Sequence, residues 1–186
     1  MPCLYICIFA SIVFLIMKFR RIILFPFSLL YGLVVFFRNL LYDIGIFESE
    51  FFDISVISIG NLIVGGTGKS PQIEYLIRLL GPENKIAALS RGYGRVTKGF
   101  LTATPESDAF EIGDEPKQFK QKFNETVVAV DSNRVRGIKK LLENNPALNV
   151  ILLDDAFQHR RIKPGLSVLL TDYNKLYVDD FLLPAG

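Results

Sequence analysis

The stretch Gly60-Asn-Leu-Ile-Val-Gly-Gly-Thr-Gly-Lys-Ser-Pro71 decides the fold of this chain. An apolar run at residues 54–59 precedes it, and a helical pattern at residues 72–80 follows it. A strand, a glycine-rich turn and a helix that opens on Gly-Lys-Ser are the context in which a phosphate-binding loop works. The glycines let several backbone N–H groups point at one anion, and the helix N-terminus adds a partial positive charge. The stretch therefore predicts a nucleotide-phosphate site.

The positions of this loop have separate predicted tasks. Lys69 should reach the β- and γ-phosphates of ATP, and the Ser70 hydroxyl should ligate Mg²⁺. The general pattern asks for glycine where Ile63 stands, but neighbouring glycines can supply the backbone freedom. A glycine-rich turn that merely caps a buried strand is the alternative, and the strand–loop–helix context favours the phosphate loop. The predicted ATP-binding residues are Ile63, Val64, Gly65, Gly66, Thr67, Gly68, Lys69 and Ser70.

Composition narrows the class of protein. A chain of 186 residues has room for one domain of ordinary size. The mean hydropathy of +0.33 is high for a soluble protein, and the excess is concentrated at the N-terminus. A net charge of +2 is too small to indicate nucleic acid as a partner. Cys3 and Cys7 lie one helical turn apart in the apolar leader, where they are typical of small hydrophobic residues.

The first 47 residues form a predicted membrane-associated segment. Residues 3–17 and 22–37 are apolar, and Lys18-Phe-Arg-Arg21 separates them. Each run has about 15 residues, or ~22–24 Å as helix, which is short of the ~20 residues that span a bilayer comfortably. The second run has basic residues at both ends, so we expect it to lie in the membrane interface, with the basic cluster on the cytoplasmic side. A buried core helix is the alternative.

Residues 48–186 alternate between strands and helices, and they form the second predicted domain. Continuous apolar strands separated by helices indicate a mostly parallel sheet covered on both faces, as in P-loop NTPases. In such sheets ligands bind beyond the carboxyl ends of the strands. The predicted strands are residues 54–59, 85–90, 100–104, 126–130, 149–153 and 167–171.

Acidic residues follow two of these predicted elements. Asp154 and Asp155 end a strand in the way that carboxylates orient Mg²⁺ in nucleotide-binding proteins. Adjacent strand residues point to opposite sides, so one carboxylate should address the metal while the other orders neighbouring donors. Acidic strand caps are common, and this is the alternative for the pair. Asp114, in an acidic turn before a predicted helix at 116–123, is the candidate base for an acceptor hydroxyl. His159, the one histidine, lies just past the carboxylates.

Taken together, these motifs resemble those of a known family, the tetraacyldisaccharide 4′-kinases. The pieces that carry the resemblance occur in family order through most of the chain. They are Leu30-Tyr-Gly32, Arg38-Asn-Leu-Leu-Tyr-Asp43, Ser58-Ile-Gly-Asn-Leu-Ile-Val-Gly-Gly-Thr-Gly-Lys-Ser-Pro71, Ser90-Arg-Gly-Tyr-Gly-Arg95, Gly113-Asp-Glu-Pro116, Asp154-Asp-Ala-Phe-Gln-His159 and Leu182-Leu-Pro-Ala-Gly186.

The resemblance implies transfer of the ATP γ-phosphate to the 4′-hydroxyl of tetraacyldisaccharide 1-phosphate, a lipid A precursor. This would occur at the cytoplasmic face of the bacterial inner membrane, with no nucleic acid involved. It implies Lys69 and Asp114 as catalytic residues, and Ser70, Asp154 and Asp155 at Mg²⁺. The residues that it assigns to the phosphorylated sugar are Arg91, Tyr93, Gln158 and His159.

The chain departs from the family pattern at both ends and at two site positions. The family usually has Thr where Ser70 stands and Gly where Ala156 stands. Its members continue past Gly186, so we expect this sequence to be part of a longer enzyme. The resemblance begins near Met17, which we predict to be the true start. N-terminal mass spectrometry tests this, because a native peptide from residues 1–16 would contradict it.

Two other classes of protein remain open from sequence. A regulatory GTPase would use the same loop, but Asn174-Lys175 lacks a following aspartate to recognise guanine, and no Asp-x-x-Gly follows Asp154. Guanine selectivity in a nucleotide competition assay would favour that class. The second is a membrane-attached P-loop nucleotide-binding protein without kinase activity, for which aggregation on expression would be evidence.

Overall fold

The computed structural model describes residues 24–61, 68–157 and 159–172. These residues fall into two compact units, one ending at Phe47 and the other beginning at Glu48.

Among its described residues, the first unit contains one long helix, α1, at Leu24–Asp43. It has 20 residues, and its apolar stretch has a mean hydropathy of 1.7 and is only 6% buried. The apolar run alone predicted a shorter helix, but the helix continues through Arg38, whose guanidinium lies 5.8 Å from the Tyr42 ring centroid. By length and composition α1 can cross a membrane, so the length argument against a span no longer holds. The low burial also disagrees with a core helix.

The second unit contains a six-stranded sheet in the order β3-β4-β2-β5-β1-β6. All strand pairs are parallel except β3 with β4, so the predicted mostly parallel sheet is confirmed. The strands begin and end within a few residues of their predicted bounds. They are β1 Ser55–Asn61, β2 Ile86–Ser90, β3 Leu101–Thr102, β4 Val127–Val130, β5 Val150–Asp154 and β6 Leu166–Leu170.

Helices cover both faces of this sheet, as the continuous apolar strands predicted. On one face, Ile138 and Leu141 of α5 pack in the same core as Leu89 and Leu153. On the other face the core includes side chains from α2, α3 and α4, together with Ile59. The helices are α2 Lys69–Leu80, α3 Ala109–Ile112, α4 Asp114–Lys122 and α5 Arg134–Asn144.

One of these helices begins earlier than the sequence predicted. Helix α2 begins at Lys69, as a helix that opens on Gly-Lys-Ser should, whereas α4 begins at Asp114, two residues before its predicted start. Pro116 lies in the first turn of α4, where a missing backbone N–H costs no helical hydrogen bond. The acidic residues that we predicted in a turn before a helix are therefore the first residues of that helix.

The carboxyl ends of the central strands meet at one edge of the sheet. Ile59 is in register with Asp154, and Ser90 is in register with Val130. The residues that follow β1, β2, β4 and β5 therefore emerge side by side. This edge is where an open parallel sheet binds its ligands.

Candidate functional site

Lys69 lies at this edge as the first residue of α2. Gly68, the residue before it, has φ of 82°, a left-handed conformation that glycine adopts at little cost. The Lys69 ammonium donates to Asn61 Oδ1 and to Asp155 Oδ1, each at 3.0 Å. It is thus held between the ends of β1 and β5. The predicted ATP-binding residues Ile63, Val64, Gly65, Gly66 and Thr67 lie outside the described residues.

Ser70 connects α2 to the acidic start of α4. Its hydroxyl donates to Glu115 Oε1 at 2.9 Å. The carboxylate of Asp114, the base that the sequence predicted, is exposed and forms no hydrogen bond or ion pair among the described residues. Glu115 is therefore a site residue that was not predicted from sequence. The signal was present in Gly-Asp-Glu-Pro, where two adjacent carboxylates start one helix and only the second reaches α2.

Asp154 is the buried carboxylate of the site, with a relative exposure of 2%. Its Oδ2 accepts a hydrogen bond from the Ser90 hydroxyl at 2.8 Å, and its Oδ1 has no partner among the described residues. Burial raises the pKa of Asp154 to about 6, and the negative charge of Glu115 adds to that rise. The Ser90 hydrogen bond and the Arg134 charge oppose it. A buried carboxylate oxygen without a donor is a good candidate for contact with a cation.

Asp155 does not occupy the position that the sequence predicted. We expected the two aspartates on opposite sides of a strand, but β5 ends at Asp154. Asp155 then has φ of 50°, and within the described ranges it is the one non-glycine residue with positive φ. Aspartate tolerates this left-handed conformation better than most residues. The turn directs the Asp155 carboxylate to Lys69.

Gly60 permits this turn to approach β1. A Cβ atom at Gly60 would lie 2.6 Å from Phe157 Cβ and 3.1 Å from the Phe157 backbone nitrogen. Because a backbone atom is one of the two neighbours, the contact cannot be relieved by a side-chain rotation. The glycine that precedes the loop therefore serves the close approach of the chain that carries Asp154 and Asp155.

Arg134 lies beneath the site, and its exposure is only 1%. Its two terminal nitrogens donate to the backbone oxygens of Asp131 at 2.6 Å and of Asp154 at 2.7 Å. Burial lowers the pKa of Arg134 to about 10, so the guanidinium stays charged at neutral pH. It joins the chain after β4 to the end of β5. Nothing in the local sequence marks this arginine as buried.

Asp131 follows β4 at the same edge and is fully buried. Burial by itself would raise its pKa, but hydrogen bonds and charge from Arg136 hold the pKa below its usual value. Arg136 binds both carboxylate oxygens, with Nε–Oδ2 at 2.8 Å and Nη2–Oδ1 at 2.7 Å. Asp131 and Asp154 are thus both buried strand-end carboxylates with opposite electrostatic surroundings.

The residues around Ser70 fit a magnesium ion that is shared with a polyphosphate. No group of three or more His, Cys, Asp or Glu side chains in the described part of the chain could hold a metal by itself. Mg²⁺ in phosphate-transfer sites needs only one or two protein oxygens, because water and phosphate oxygens complete its octahedron. Asp154 Oδ1, Ser70 Oγ and the Glu115 carboxylate are hard oxygen donors of this kind.

The predicted sugar-binding residues lie beyond the same strand ends. Arg91 and Tyr93 follow β2, and both are exposed, Tyr93 to 89%. His159 follows β5 and is partly buried, and its backbone N–H donates to the Ala156 oxygen at 2.9 Å. Gln158 lies outside the described residues. The hydrogen bonds described above join Lys69 to Asp155 and Ser70 to Glu115, and neither pair involves these residues.

Comparisons with known proteins agree on one family. The family model for tetraacyldisaccharide-1-P 4′-kinase, LpxK, matches residues 20–186. Curated relatives named tetraacyldisaccharide 4′-kinase include one from Flavobacterium johnsoniae, 57% identical over 170 residues, and one from Bacteroides thetaiotaomicron, 56% identical over 164 residues. These alignments cover 91% and 88% of this chain, but only 50% and 43% of the relatives. The chain therefore spans about half the length of the curated relatives that it matches.

A solved structure shows the same fold. The crystal structure of LpxK from Aquifex aeolicus, described as an "apo" form in complex with ATP, has a TM-score of 0.81 and 38% sequence identity to this chain. The superposition covers 89% of this chain and 53% of that one.

Proposed function

This chain belongs to the tetraacyldisaccharide-1-P 4′-kinase family, and from that premise we propose that its site transfers the γ-phosphate of ATP to the 4′-hydroxyl of tetraacyldisaccharide 1-phosphate. The observation that carries the proposal is the cluster at the strand edge. Lys69 and Ser70 begin one helix, Asp114 and Glu115 begin another, and the buried Asp154 lies at the end of β5.

Each described residue has a role in the proposed transfer. The Lys69 ammonium stabilises negative charge on the transferring phosphoryl group. Ser70, Asp154 and Glu115 would hold Mg²⁺, which would supply neutralisation of phosphate charge. Asp155, the other metal ligand proposed from sequence, lies beside them and pairs with Lys69. Glu115 orients the Ser70 hydroxyl, and Asp114 accepts the proton of the attacking 4′-hydroxyl. Arg91, Tyr93, Gln158 and His159 are the proposed contacts for the phosphorylated sugar.

Because the proposed substrate is a lipid, the phosphate transfer would take place at a membrane surface. We assign α1 and the basic residues Lys18, Arg20 and Arg21 to the cytoplasmic face of the bacterial inner membrane. Two features support this, the 20-residue apolar helix and the ATP that is available on that side. Flotation with anionic vesicles tests it, because a chain that stays with the soluble fraction would contradict membrane association.

The proposed function is tested by transfer of labelled γ-phosphate from ATP to tetraacyldisaccharide 1-phosphate. The assay compares this 186-residue chain with the product of the full reading frame that encodes it. We expect Mg²⁺-dependent transfer to the lipid by the full product and Mg²⁺-dependent ATP binding by both. If both bind ATP and neither phosphorylates the lipid, the kinase assignment is wrong and a nucleotide-binding membrane protein replaces it.

Substitution of Asp114 by Asn should distinguish the function of the base from that of the metal site. The change keeps the size of the side chain and removes its capacity to accept a proton. We expect kcat to fall by ~10²–10⁴ while the KM for ATP stays nearly constant. Glu115→Gln is the matched comparison, because it should mainly weaken Mg²⁺-dependent ATP binding through Ser70. If only Glu115→Gln lowers kcat at saturating ATP and Mg²⁺, then Asp114 is not the base.

A further inference from the structure

A buried carboxylate outside the described site connects the two helices that begin at the site. The Glu74 side chain in α2 is 8% exposed, and it accepts hydrogen bonds from residues of both helices. Gln118 Nε2 and Lys122 Nζ of α4 each lie 2.6 Å from Oε1, and Arg78 Nη2 of α2 lies 3.2 Å from Oε2. None of the roles proposed above uses this cluster.

The cluster lies one helical turn behind the Ser70–Glu115 hydrogen bond. Glu74 follows Ser70 by four residues, so both project from one face of α2. Gln118 and Lys122 follow Glu115 by three and seven residues, and they share the corresponding face of α4. The helices are therefore joined at two levels, at their first turns by Ser70–Glu115 and one turn further on by Glu74.

We propose that Glu74 is a positioning residue, which holds the start of α4 at a fixed register against the start of α2. Through this contact it sets the position of Asp114 and Glu115 relative to Lys69 and Ser70. The proposal rests on the proposed function, because the reacting groups that it positions are the ones assigned there.

Apolar packing alone does not explain a carboxylate at this position. Ile73 and Phe119, fully buried in the same core, already pack this face of the sheet. Apolar contacts depend weakly on direction and tolerate small shifts along a helix. A carboxylate that accepts from Gln118 and Lys122 holds both at hydrogen-bond distance, so it defines the register.

The Glu74 carboxylate is ionised in this arrangement. Burial by itself would raise its pKa, but hydrogen bonds from Lys122 and Gln118, with the charge of Lys122, bring the pKa below its ordinary value. Charge-assisted hydrogen bonds are shorter and stronger than neutral ones, as the two 2.6 Å contacts illustrate. Glu74→Gln removes this charge and keeps the volume, which makes it the appropriate variant.

The variant should change kcat more than the KM for ATP. A shift of α4 moves the carboxylates of its first turn, whereas Lys69 and the loop before it remain on α2. Because a displacement of about 1 Å can lower a rate ~10²-fold, we expect Glu74→Gln in the full-length enzyme to lower kcat ~10–100-fold. The KM for ATP should change less than about threefold. Glu143→Gln is the control, because Glu143 pairs with Lys140 at 3.8 Å on the exposed surface of α5.

A double-mutant cycle separates positioning from a general loss of stability. If Glu74 acts on kcat through the position of Asp114, then Glu74→Gln with Asp114→Asn should be little slower than Asp114→Asn alone. Additive losses, or a normal kcat for Glu74→Gln measured below its melting temperature, would overturn the proposal. The Mg²⁺ concentration needed for half-maximal binding of a fluorescent ATP analogue is the second readout. It applies even if the lipid is not phosphorylated, in which case the proposed function fails. An unchanged Mg²⁺ requirement in Glu74→Gln would then overturn the positioning role as well.

Discussion

Substitution of Lys69 by Ala is expected to lower phosphate transfer about a thousandfold or more. Lys69 is the first residue of α2, and Asn61 and Asp155 hold its ammonium at the strand edge. A cation held in place before the reaction stabilises the developing phosphate charge without reorganising its surroundings, and alanine removes it entirely. The measurement is the single-turnover rate at saturating ATP and Mg²⁺ in the full-length protein.

Two further variants make the Lys69 experiment specific. Lys139→Ala is the matched control. Lys139 lies on the exposed side of α5 and forms a 2.6 Å ion pair with Glu50, so this variant should transfer phosphate at the normal rate. Lys69→Ala also leaves Asp155 without its cation, so Lys69→Ala with Asp155→Asn tests whether that charge causes the loss. Recovery of activity in the double variant, or full turnover in Lys69→Ala, would contradict the proposed role of Lys69 at the phosphate. Lys69 would then serve only to neutralise Asp155.

Substitution of Asp154 by Asn should have opposite effects on function and on stability. Loss of the buried carboxylate should abolish most of the Mg²⁺-dependent part of ATP binding, which we expect to weaken by ~10–100-fold or more. Without Mg²⁺, the same change should raise the melting temperature by several degrees at pH 8. The reason is that an ionised carboxylate at this buried position costs on the order of 3 kcal/mol, given a folded pKa of about 6.

The pH dependence gives the sign of this effect. The pKa of Asp154 is about 6 in the folded protein and 3.8 as its ordinary value, so the folded protein binds the proton more tightly. Its contribution to stability is complete below pH 3.8 and is lost as the pH rises through 6. The Asn variant should lack this loss. Thermal unfolding in EDTA at pH 5 and pH 8 measures it, and a variant less stable than the wild type at pH 8 would contradict the assignment.

Asp131 is the matched control for Asp154. It is equally buried at the end of a strand, but Arg136 holds its pKa below the ordinary value. Asp131→Asn should therefore destabilise the protein at pH 8, since it leaves Arg136 without its carboxylate. Opposite changes in melting temperature for the two Asp→Asn variants would show that the local electrostatics, rather than burial alone, determines the result.

The sheet shows which features of the fold the local sequence pattern can predict and which it cannot. Periodicity and run length predicted all six strands, and the signal was clearest for the central strands, because strands buried on both faces are continuously apolar. They could not predict that β5 pairs with β1 and β2, since pairing depends on contacts between distant parts of the chain. They also missed the end of α1 and the start of α4. Polar residues at helix starts and ends carry no apolar period, so Asp114 and Arg38 fell outside the predicted helices.

The sequence by itself determined the parallel sheet, the common edge of its strands and the placement of Lys69 and Ser70 at that edge, because spacing along the chain is enough for each. Only the tertiary structure decided which acid in each adjacent pair meets them. Glu115 rather than Asp114 accepts from Ser70, and Asp155 rather than Asp154 pairs with Lys69. These partners are 45 and 86 residues apart, and the choice between neighbours depends on where a helix begins and a strand ends. Packing of α4 against α2 and the turn after β5 set those points, and neither is encoded in local spacing.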